Sequence, residues 1–167
     1  MRIILILTGL SLLSSCINLS NRSEISPTVE ETEIAKDLIQ GAFDDLWGGV
    51  DSTKISKYHT DDFIILEHGE VWDNDRIKEF MRGQLANPNR AKRVNIMDYI
   101  SIEKYGPSIQ LAYNNRAEFY RQDSLVGTGS WLESATAIKT PGGWRLRMMH
   151  STRNKNCLLY TSDAADE

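Results

Sequence analysis

The chain has 167 residues, of which 41% are hydrophobic and 25% are charged. Its formal net charge is −4, from 19 basic and 23 acidic residues, and the basic residues form no block. A near-neutral chain without a basic patch argues against nucleic-acid binding, which depends on neutralising phosphates. The length suits one compact domain with short flanking segments.

The N-terminal residues predict export. Arg2 precedes an apolar run from Ile3 to Leu13, which is shorter than the roughly 20 residues of a membrane-spanning helix. Residues 1–15 therefore read as a signal peptide. The stretch "LSSC", ending at Cys16, resembles the lipobox of bacterial lipoproteins. That resemblance implies lipidation of Cys16, membrane attachment through the lipid and a location in the cell envelope, outside the cytoplasm. An ordinary signal peptide or a short anchor is the alternative.

The last eleven residues, Cys157–Glu167, read "CLLYTSDAADE" and resemble an in-frame translation of a common transposase sequencing adapter. We therefore expect this segment not to be native, and the natural residues beyond Asn156 to be missing. Polar residues 16–27 predict a tether, and residues 28–156 predict the folded domain. That domain contains no cysteine, which excludes a disulfide, a thiol nucleophile and a cysteine-ligated metal within it.

Three helices are predicted in the first half of the domain. Thr28 and Glu31 have the spacing of a capping box, and Gly48-Gly49 ends the helix that they begin. A short second helix follows a cap at Asp51 or Ser52. A third follows a cap at Asp73 or Asn74. The residues expected to face the core have helical spacing: Ile34, Ala35, Leu38, Ile39, Ala42, Phe43, Leu46, Trp47, Ile55, Tyr58, Ile77, Phe80 and Met81.

The strands are predicted by short apolar runs and by period-two patterns. A first strand, "DDFIILEH", lies among the helices, and four long strands follow residue 92. The first long strand places Val94, Ile96, Ile100 and Ile102 on one face, interrupted by Asp98. The second groups the following alternate residues: Ile109, Leu111, Tyr113, Asn115, Ala117 and Phe119. Helices first and a run of antiparallel strands afterwards predict an α+β fold, with the helices packed on one face of a curved antiparallel sheet.

This order of elements resembles the SnoaL-like, nuclear transport factor 2-like superfamily. The matching stretches include Tyr58-x-x-Asp61-Asp62 before the first strand and a closing motif with Gly142, Trp144, Leu146 and His150. The resemblance implies a cone of helices against a bent sheet, with an internal pocket. It also implies that dimers through the outer sheet face are common. Members include isomerases, dehydratases, hydrolases and binding proteins, so the fold does not settle the activity.

The turn "TPGG" sets an expected register for the last hairpin. In this register Lys139 pairs with Trp144, and further along the two strands Glu133 pairs with His150. A loop of odd length would slip this register and turn Glu133 to the other face. The residues expected on the inward side are Trp131, Glu133, Trp144, Leu146, Met148 and His150, and those expected on the outer side include Arg145 and Arg147.

Two carboxylates are candidate catalytic groups. Glu133 beside His150 would orient the imidazole and raise its basicity, as a general base requires. The alternative is a structural ion pair at the end of the pocket. In the ketosteroid isomerases of the superfamily, a carboxylate base follows the Asp-Asp pair by five residues. The resemblance therefore implies the same role for Glu67, whose alternative is a surface position near a turn.

The sequence predicts an exported lipoprotein that binds a small, largely apolar molecule, with Trp131, Trp144, Tyr113 and Met148 lining the pocket. We expect no cofactor, and without cysteines or a closely spaced histidine pair we expect no metal site. One alternative is an acid–base isomerase or dehydratase-like lyase acting through His150, Glu133 or Glu67. The other is a dimeric interaction module, whose outer sheet face carries Arg116, Tyr120, Arg145 and Arg147.

Overall fold

A computed structural model describes residues 26–154, so the predicted signal peptide, the lipidation site and the segment from residue 155 onward lie outside the described residues. Helix α1 spans Val29–Ala42 and continues as a π-helical turn, Phe43–Gly48. A 3₁₀ turn, Ser52–Lys54, leads into α2, Ile55–Tyr58, and α3 spans Asn74–Ala86. The strands are β1 His59–Glu67, β2 Glu70–Asp73, β3 Lys92–Tyr105, β4 Ser108–Arg121, β5 Ser124–Thr140 and β6 Gly143–Arg153.

Side-chain caps fix the helix starts, as predicted. The Thr28 hydroxyl accepts a hydrogen bond from the Glu31 amide, and the Glu31 carboxylate accepts one from the Thr28 amide, each at 3.1 Å. Asp51 caps the 3₁₀ turn and Asp73 caps α3. Each cap satisfies an amide that has no partner inside the helix. The local sequence therefore sets where the helices begin.

The six strands form one curved sheet in the order β2-β1-β6-β5-β4-β3. Neighbouring strands are antiparallel except β1 and β6, which run parallel, so the sheet is mixed rather than purely antiparallel. The helices pack on one face, which we call the inner face, and bury Ile39, Phe43, Leu46, Ile77 and Met81 against it. The predicted α+β architecture is confirmed.

A β-bulge changes the predicted face of β3. Val94, Ile96 and Ile100 lie on the opposite, outer face, where their side chains are 36%, 37% and 58% exposed. The pairing with β4 shifts between Tyr99 and Ser101, so Ile100 is an extra residue. Ile102 therefore packs against the core, and its predicted place on the same face as Val94 is wrong.

A second bulge changes the register of the last hairpin. Lys139 pairs with Trp144 and Ala137 with Leu146, as expected, but the register shifts before Thr136 pairs with Met148. Arg147 is the extra residue, and its guanidinium binds the Asp62 carboxylate at 2.9 Å.

The shift reverses the later part of β6. Glu133 lies opposite Ser151, and His150 lies opposite Ser134. The predicted pairing of Glu133 with His150 is therefore wrong. So is the predicted inward orientation of Met148 and His150, both of which are exposed. One inserted residue inverts every side chain that follows it in a strand.

Candidate functional site

A cavity of about 220 Å³ lies between the inner sheet face and the helices, and we call it the cone cavity. Its walls come from the end of α1, the β1–β2 hairpin, α3 and the inner faces of β3, β5 and β6. The lining residues are Phe43, Trp47, Ile65, Glu67, His68, Trp72, Phe80, Arg93, Trp131, Glu133 and Ser151. They combine a mainly aromatic wall with a small number of charged and polar groups.

Aromatic rings contact one another along the wall. The ring centroids of Trp47 and Phe80 lie 5.7 Å apart, and those of Phe80 and Trp72 lie 5.4 Å apart. Trp47 belongs to the π-helical turn, a feature that often occurs at functional sites. Its indole Nε1 is buried and has no hydrogen-bond partner. The wall therefore offers flat apolar surface and one unpaired donor.

Trp131 is held in the wall by a close approach to the backbone. A Cβ atom at Gly129 would lie 2.5 Å from the Trp131 ring, so a glycine is required for the indole to lie there. On its other side, the Arg93 guanidinium lies 4.8 Å from the ring centroid, within the range of a cation–π contact. The Arg93 Nε donates a hydrogen bond to Asn95 Oδ1 at 2.7 Å, which fixes the guanidinium.

Glu133 is the most deeply buried charged group of the cavity, with 5% of its surface exposed. Ser151 Oγ donates a hydrogen bond to one carboxylate oxygen at 3.0 Å, and Asn115 Nδ2 donates to the other at 3.3 Å. Burial raises the pKa of Glu133 to about 7, although these hydrogen bonds and the Arg93 charge oppose the rise. Glu133 can therefore gain or lose a proton near neutral pH.

Two polar atoms beside Glu133 are buried without partners. The Tyr113 hydroxyl makes no hydrogen bond of ordinary geometry, and the Oδ1 atom of Asn115 has no donor. Burial, and secondarily the nearby Glu133 carboxylate, hold the pKa of Tyr113 well above its usual value. Since buried polar atoms are normally paired, unpaired atoms around one carboxylate need an explanation.

Glu67 also lines the cone cavity, at the other side of its polar end. Its side chain is only 14% exposed, and one carboxylate oxygen lies 2.8 Å from His68 Nε2. His68 and Gly69 have positive φ angles of 51° and 82°, typical of a tight hairpin turn. Glu67 is therefore turned into the cavity mouth and is not the fully exposed turn residue that the alternative interpretation expected.

The predicted site residues divide into three groups. Glu133, Glu67 and Trp131 line the cone cavity, and Tyr113 lies directly behind Glu133. Trp144 is buried in the core but does not line the cavity. Met148 and His150 lie on the outer face.

His150 lines a depression of about 530 Å³ together with Leu66 and Val71, and this depression shares His68 and Ser151 with the cone cavity. His150 itself is on the outer face and does not line the cone cavity. The arrangement that motivated a shared role for His150 and Glu133 is therefore absent.

Seven polar or aromatic residues of the cavity were not predicted as site residues: Phe43, Trp47, His68, Trp72, Phe80, Arg93 and Ser151. Phe43, Trp47 and Phe80 were expected only to face the core. Arg93 is in phase with the inward-facing Asn95 and Met97 along β3. From the sequence this phase is a weak signal, because the alternate residues Val94 and Ile96 are the more apolar set. Ser151 has no such signal, because its orientation depends on the bulge at Arg147.

No group of three or more His, Asp or Glu side chains within residues 26–154 is placed to hold a metal ion. Over the same residues, no helix has the length and hydropathy needed to cross a membrane.

An α+β cone with an internal cavity is the fold of nuclear transport factor 2-like and cystatin-like proteins, and solved structures confirm it. Aln2 from a Streptomyces species matches with a TM-score of 0.67 and 13% identity, over 77% of this chain and 94% of that chain. A nuclear transport factor 2-like superfamily protein from Salmonella enterica serovar Typhimurium matches with a TM-score of 0.59 and 16% identity, over 79% and 96%.

The CaMKII hub homology domain of Chlamydomonas reinhardtii has the same fold. Its TM-score is 0.64 at 17% identity, over 74% of this chain and 98% of that chain. No protein-family model and no curated protein matches the sequence. At these identities the likeness defines the fold, which is compatible with ligand binding, isomerase-like chemistry and assembly.

Proposed function

We propose that this chain binds a small, largely apolar molecule with one polar end in the cone cavity. The observation that carries the proposal is the composition of the cavity: its aromatic wall, in which the indole Nε1 of Trp47 is unpaired, is combined with a buried carboxyl, Glu133. Ligand sites typically combine apolar walls with a few placed polar groups.

The size of the cavity limits the ligand. Its volume of about 220 Å³ is below the roughly 300–1,000 Å³ of pockets for drug-sized molecules. A single ring system with one or two polar substituents suits this space. The carboxyl of Glu133 and the guanidinium of Arg93 lie at the same end, so the polar substituents point there.

Native mass spectrometry of the chain purified from its own host tests the proposal. We expect a stoichiometric extra mass that is lost on denaturation and that identifies the ligand. A clean apo mass would leave only weak binding, for which p-cresol is a suitable probe by calorimetric titration. A clean apo mass together with no saturable heat from p-cresol would contradict the proposal.

A matched pair of variants locates the binding. Trp72 forms part of the cavity wall, whereas its neighbour Val71 is 65% exposed and does not line the cavity. We expect Trp72→Ala to weaken binding about tenfold, the typical effect of removing an aromatic anchor. Val71→Ala should leave the affinity unchanged. Equal effects of the two changes would place the ligand elsewhere.

The acid–base alternative rests on Glu133. A carboxyl with a pKa of about 7 that faces a largely apolar cavity is suited to moving a proton to or from carbon next to a carbonyl. The ligand recovered from the host, incubated with the protein in D₂O, would then acquire deuterium. Glu133→Gln should abolish this exchange while it still binds the ligand. Exchange that persists in Glu133→Gln would exclude Glu133 as the base.

A second candidate function, assembly with another copy of the chain, is favoured by the outer face of the sheet. Its exposed apolar side chains include Val94, Ile96, Ile100, Leu132 and Met148. Several large apolar side chains exposed on one sheet face are typical of an interaction site. The fold is shared with a CaMKII hub homology domain, which supports assembly as a use of this architecture.

Three of the four polar residues expected to mediate this contact have partners within the chain. The Arg145 Nε donates a hydrogen bond to the Ser56 carbonyl at 3.0 Å, and Arg147 binds Asp62. Arg116 remains exposed among the apolar residues, and Tyr120 donates to Glu118 at 2.6 Å. We therefore propose that apolar contacts at the centre of the face, rather than Arg145 and Arg147, hold a homodimer.

Leu132 tests this interface. It is 51% exposed on the outer face, and Leu85 on α3 is 60% exposed away from the sheet. Sedimentation equilibrium should show a dimer for the unchanged chain and for Leu85→Lys, and a monomer for Leu132→Lys. A dimer that survives Leu132→Lys, or an unchanged chain that is monomeric, would contradict the interface.

We also propose that lipid on Cys16 tethers the domain to a membrane outside the cytoplasm. The motif before Cys16 supports this proposal. Cys16→Ala should release the protein from the membrane fraction and remove the lipid mass, whereas Ser20→Ala, in the predicted tether, should do neither. Membrane attachment that persists in Cys16→Ala would contradict it.

A further inference from the structure

A second cavity, of about 380 Å³, lies at the start of β1 and shares no lining residue with the cone cavity. We call it the His59 cavity. The 3₁₀ turn and α2 form one side, the first residues of β1 form the floor and the first turn of α3 forms the other side. Its lining residues are Ser52, Thr53, Ile55, Ser56, His59, Thr60, Asp61, Asp73, Asn74, Asp75 and Lys78.

Two consecutive residues of this cavity carry buried polar atoms without partners. His59 is 3% exposed, and its Nε2 atom makes no hydrogen bond. The adjacent hydroxyl of Thr60 is also buried and unpaired. Leaving such groups unpaired is unfavourable by about 1–3 kcal/mol each. Both residues line the His59 cavity, so a partner bound in it would offset this cost.

The neighbouring amide determines which nitrogen of His59 carries the proton. Asn74 Nδ2 donates to the Thr60 carbonyl at 2.8 Å, so Asn74 Oδ1 is the atom that faces the imidazole. Oδ1 lies 2.9 Å from His59 Nδ1, which must therefore be the protonated donor. Nε2 is then an acceptor. The ring is fixed in place because it stacks on Phe63, with centroids 3.7 Å apart.

The imidazole stays neutral over the physiological range. Burial lowers the pKa of His59 to about 4, and the hydrogen bond to Asn74 opposes this shift only in part. A ligand in the His59 cavity therefore meets a lone pair on Nε2 rather than a positive charge. It must supply a hydrogen-bond donor.

The rim of the cavity is negatively charged. Asp61, Asp73 and Asp75 line it together with a single cation, Lys78, whose ammonium already donates to Asp75 at 2.8 Å. The start of α3 would by itself favour an anion, but the Asp73 carboxylate already caps it by accepting from the Arg76 amide at 2.8 Å. The rim therefore keeps a net negative charge, which favours a cation in the cavity.

We propose that the His59 cavity binds a small organic cation through its primary ammonium group. The ammonium would donate one hydrogen bond to His59 Nε2 and a second to the Thr60 hydroxyl, and the carboxylates of the rim would attract its charge. An ammonium carries three donors and no acceptor, which matches two unpaired acceptors in a negative surrounding. The site is independent of the cone cavity and of any ligand there.

Imidazole nitrogen NMR of the full chain, titrated with ethylammonium, tests this proposal. The chain has three histidines, and His68 and His150 are not in this cavity, so they act as internal controls. We expect a saturable shift of the His59 Nε2 signal and no saturable shift at the other two. Ethanol and acetate, of similar size, should produce no comparable shift.

Two variants and two matched controls locate the interaction. Thr60→Val removes an unpaired hydroxyl and so should leave the fold intact, but it should weaken ethylammonium binding about tenfold, as loss of a hydrogen bond to a charged group does. Asp61→Asn should weaken it about threefold. Thr128→Val and Asp98→Asn, on other parts of the sheet, should have no effect.

Several results would overturn the proposal. Absence of a saturable shift at His59 would mean that the cavity holds only water. An equal response to ethanol would show that the positive charge of ethylammonium does not contribute to binding. A response to acetate alone would show an anion site at the start of α3. Unchanged affinity in both Thr60→Val and Asp61→Asn would place the ammonium elsewhere.

Discussion

Replacing Glu133 with glutamine should make the fold more stable above neutral pH. The pKa of Glu133 is about 7 in the folded chain, against 4.5 for an ordinary glutamate, chiefly because of burial. Since the folded state holds its proton more tightly, the unfolded state ionises first as the pH rises. Stability is therefore lost between about pH 4.5 and 7, and the loss is complete above the folded pKa.

The size of this loss follows from the shift. Each pKa unit corresponds to about 1.36 kcal/mol, so a rise from 4.5 to about 7 removes about 3 kcal/mol of stability. Glutamine has nearly the same shape and does not titrate. It can keep the bond from Ser151 Oγ, and once the Asn115 amide flips, the glutamine amide nitrogen can donate to Asn115 Oδ1.

Urea denaturation of both proteins between pH 4 and 9 provides the measurement. The free energy of unfolding of Glu133→Gln minus that of the unchanged chain should rise by about 3 kcal/mol from pH 4.5 to 8 and then remain level. Taking the difference cancels the titration of the other groups. Glu79→Gln, the same substitution at an exposed position on α3, serves as the control.

Two results would refute the reasoning. A pH-independent difference would mean that Glu133 titrates alike in the folded and unfolded chains. A difference that falls as the pH rises would mean that Arg93 and the hydrogen bonds from Ser151 and Asn115 outweigh burial. In that case Glu133 would be a stabilised carboxylate and an unsuitable proton donor at neutral pH.

Further predictions concern stability. Gly41→Ala in α1 places a Cβ 2.9 Å from the Tyr58 ring, so it should lower the free energy of unfolding by about 1–3 kcal/mol in urea denaturation. Gly83→Ala in α3 meets no atom within 4 Å and should raise it by up to about 1 kcal/mol; equal effects of both changes would contradict this reasoning. Tyr99→Phe removes a 3.0 Å hydrogen bond to the Lys36 carbonyl and should lower the unfolding midpoint by the equivalent of about 1 kcal/mol; an unchanged midpoint would show that the bond contributes nothing.

The features that the sequence predicts well are local. The capping box at Thr28, the cap at Asp73 and the turn before Trp144 each depend on residues within four positions of one another. The alternation along β4 is unbroken over its buried residues, so its inner face is also predicted correctly. Local chemistry determines these elements before any tertiary contact forms.

The features that the sequence does not predict depend on single inserted residues. Ile100 and Arg147 have no distinctive local pattern, and each bulge reverses the faces of the residues that follow it. For this reason Ile102 faces the core, whereas Val94 and Ile96, which precede the bulge and were predicted on the same face as Ile102, form an exposed face. The same effect moved His150 out of the predicted site and brought Ser151 into it.

The buried polar groups separate the two candidate functions. Assembly through the outer face requires nothing of Glu133, which lies on the inner face with unpaired atoms on Tyr113 and Asn115 beside it. An apolar residue there would avoid a penalty of about 3 kcal/mol above neutral pH. Residues that lower stability but shape a cavity are characteristic of binding and catalytic sites. We expect the Glu133→Gln chain to be more stable at pH 8, still dimeric and altered in its affinity for the host ligand. This result would show that Glu133 lowers stability but serves ligand binding in the cone cavity. A change in dimerisation without a change in ligand affinity would show instead that Glu133 serves assembly.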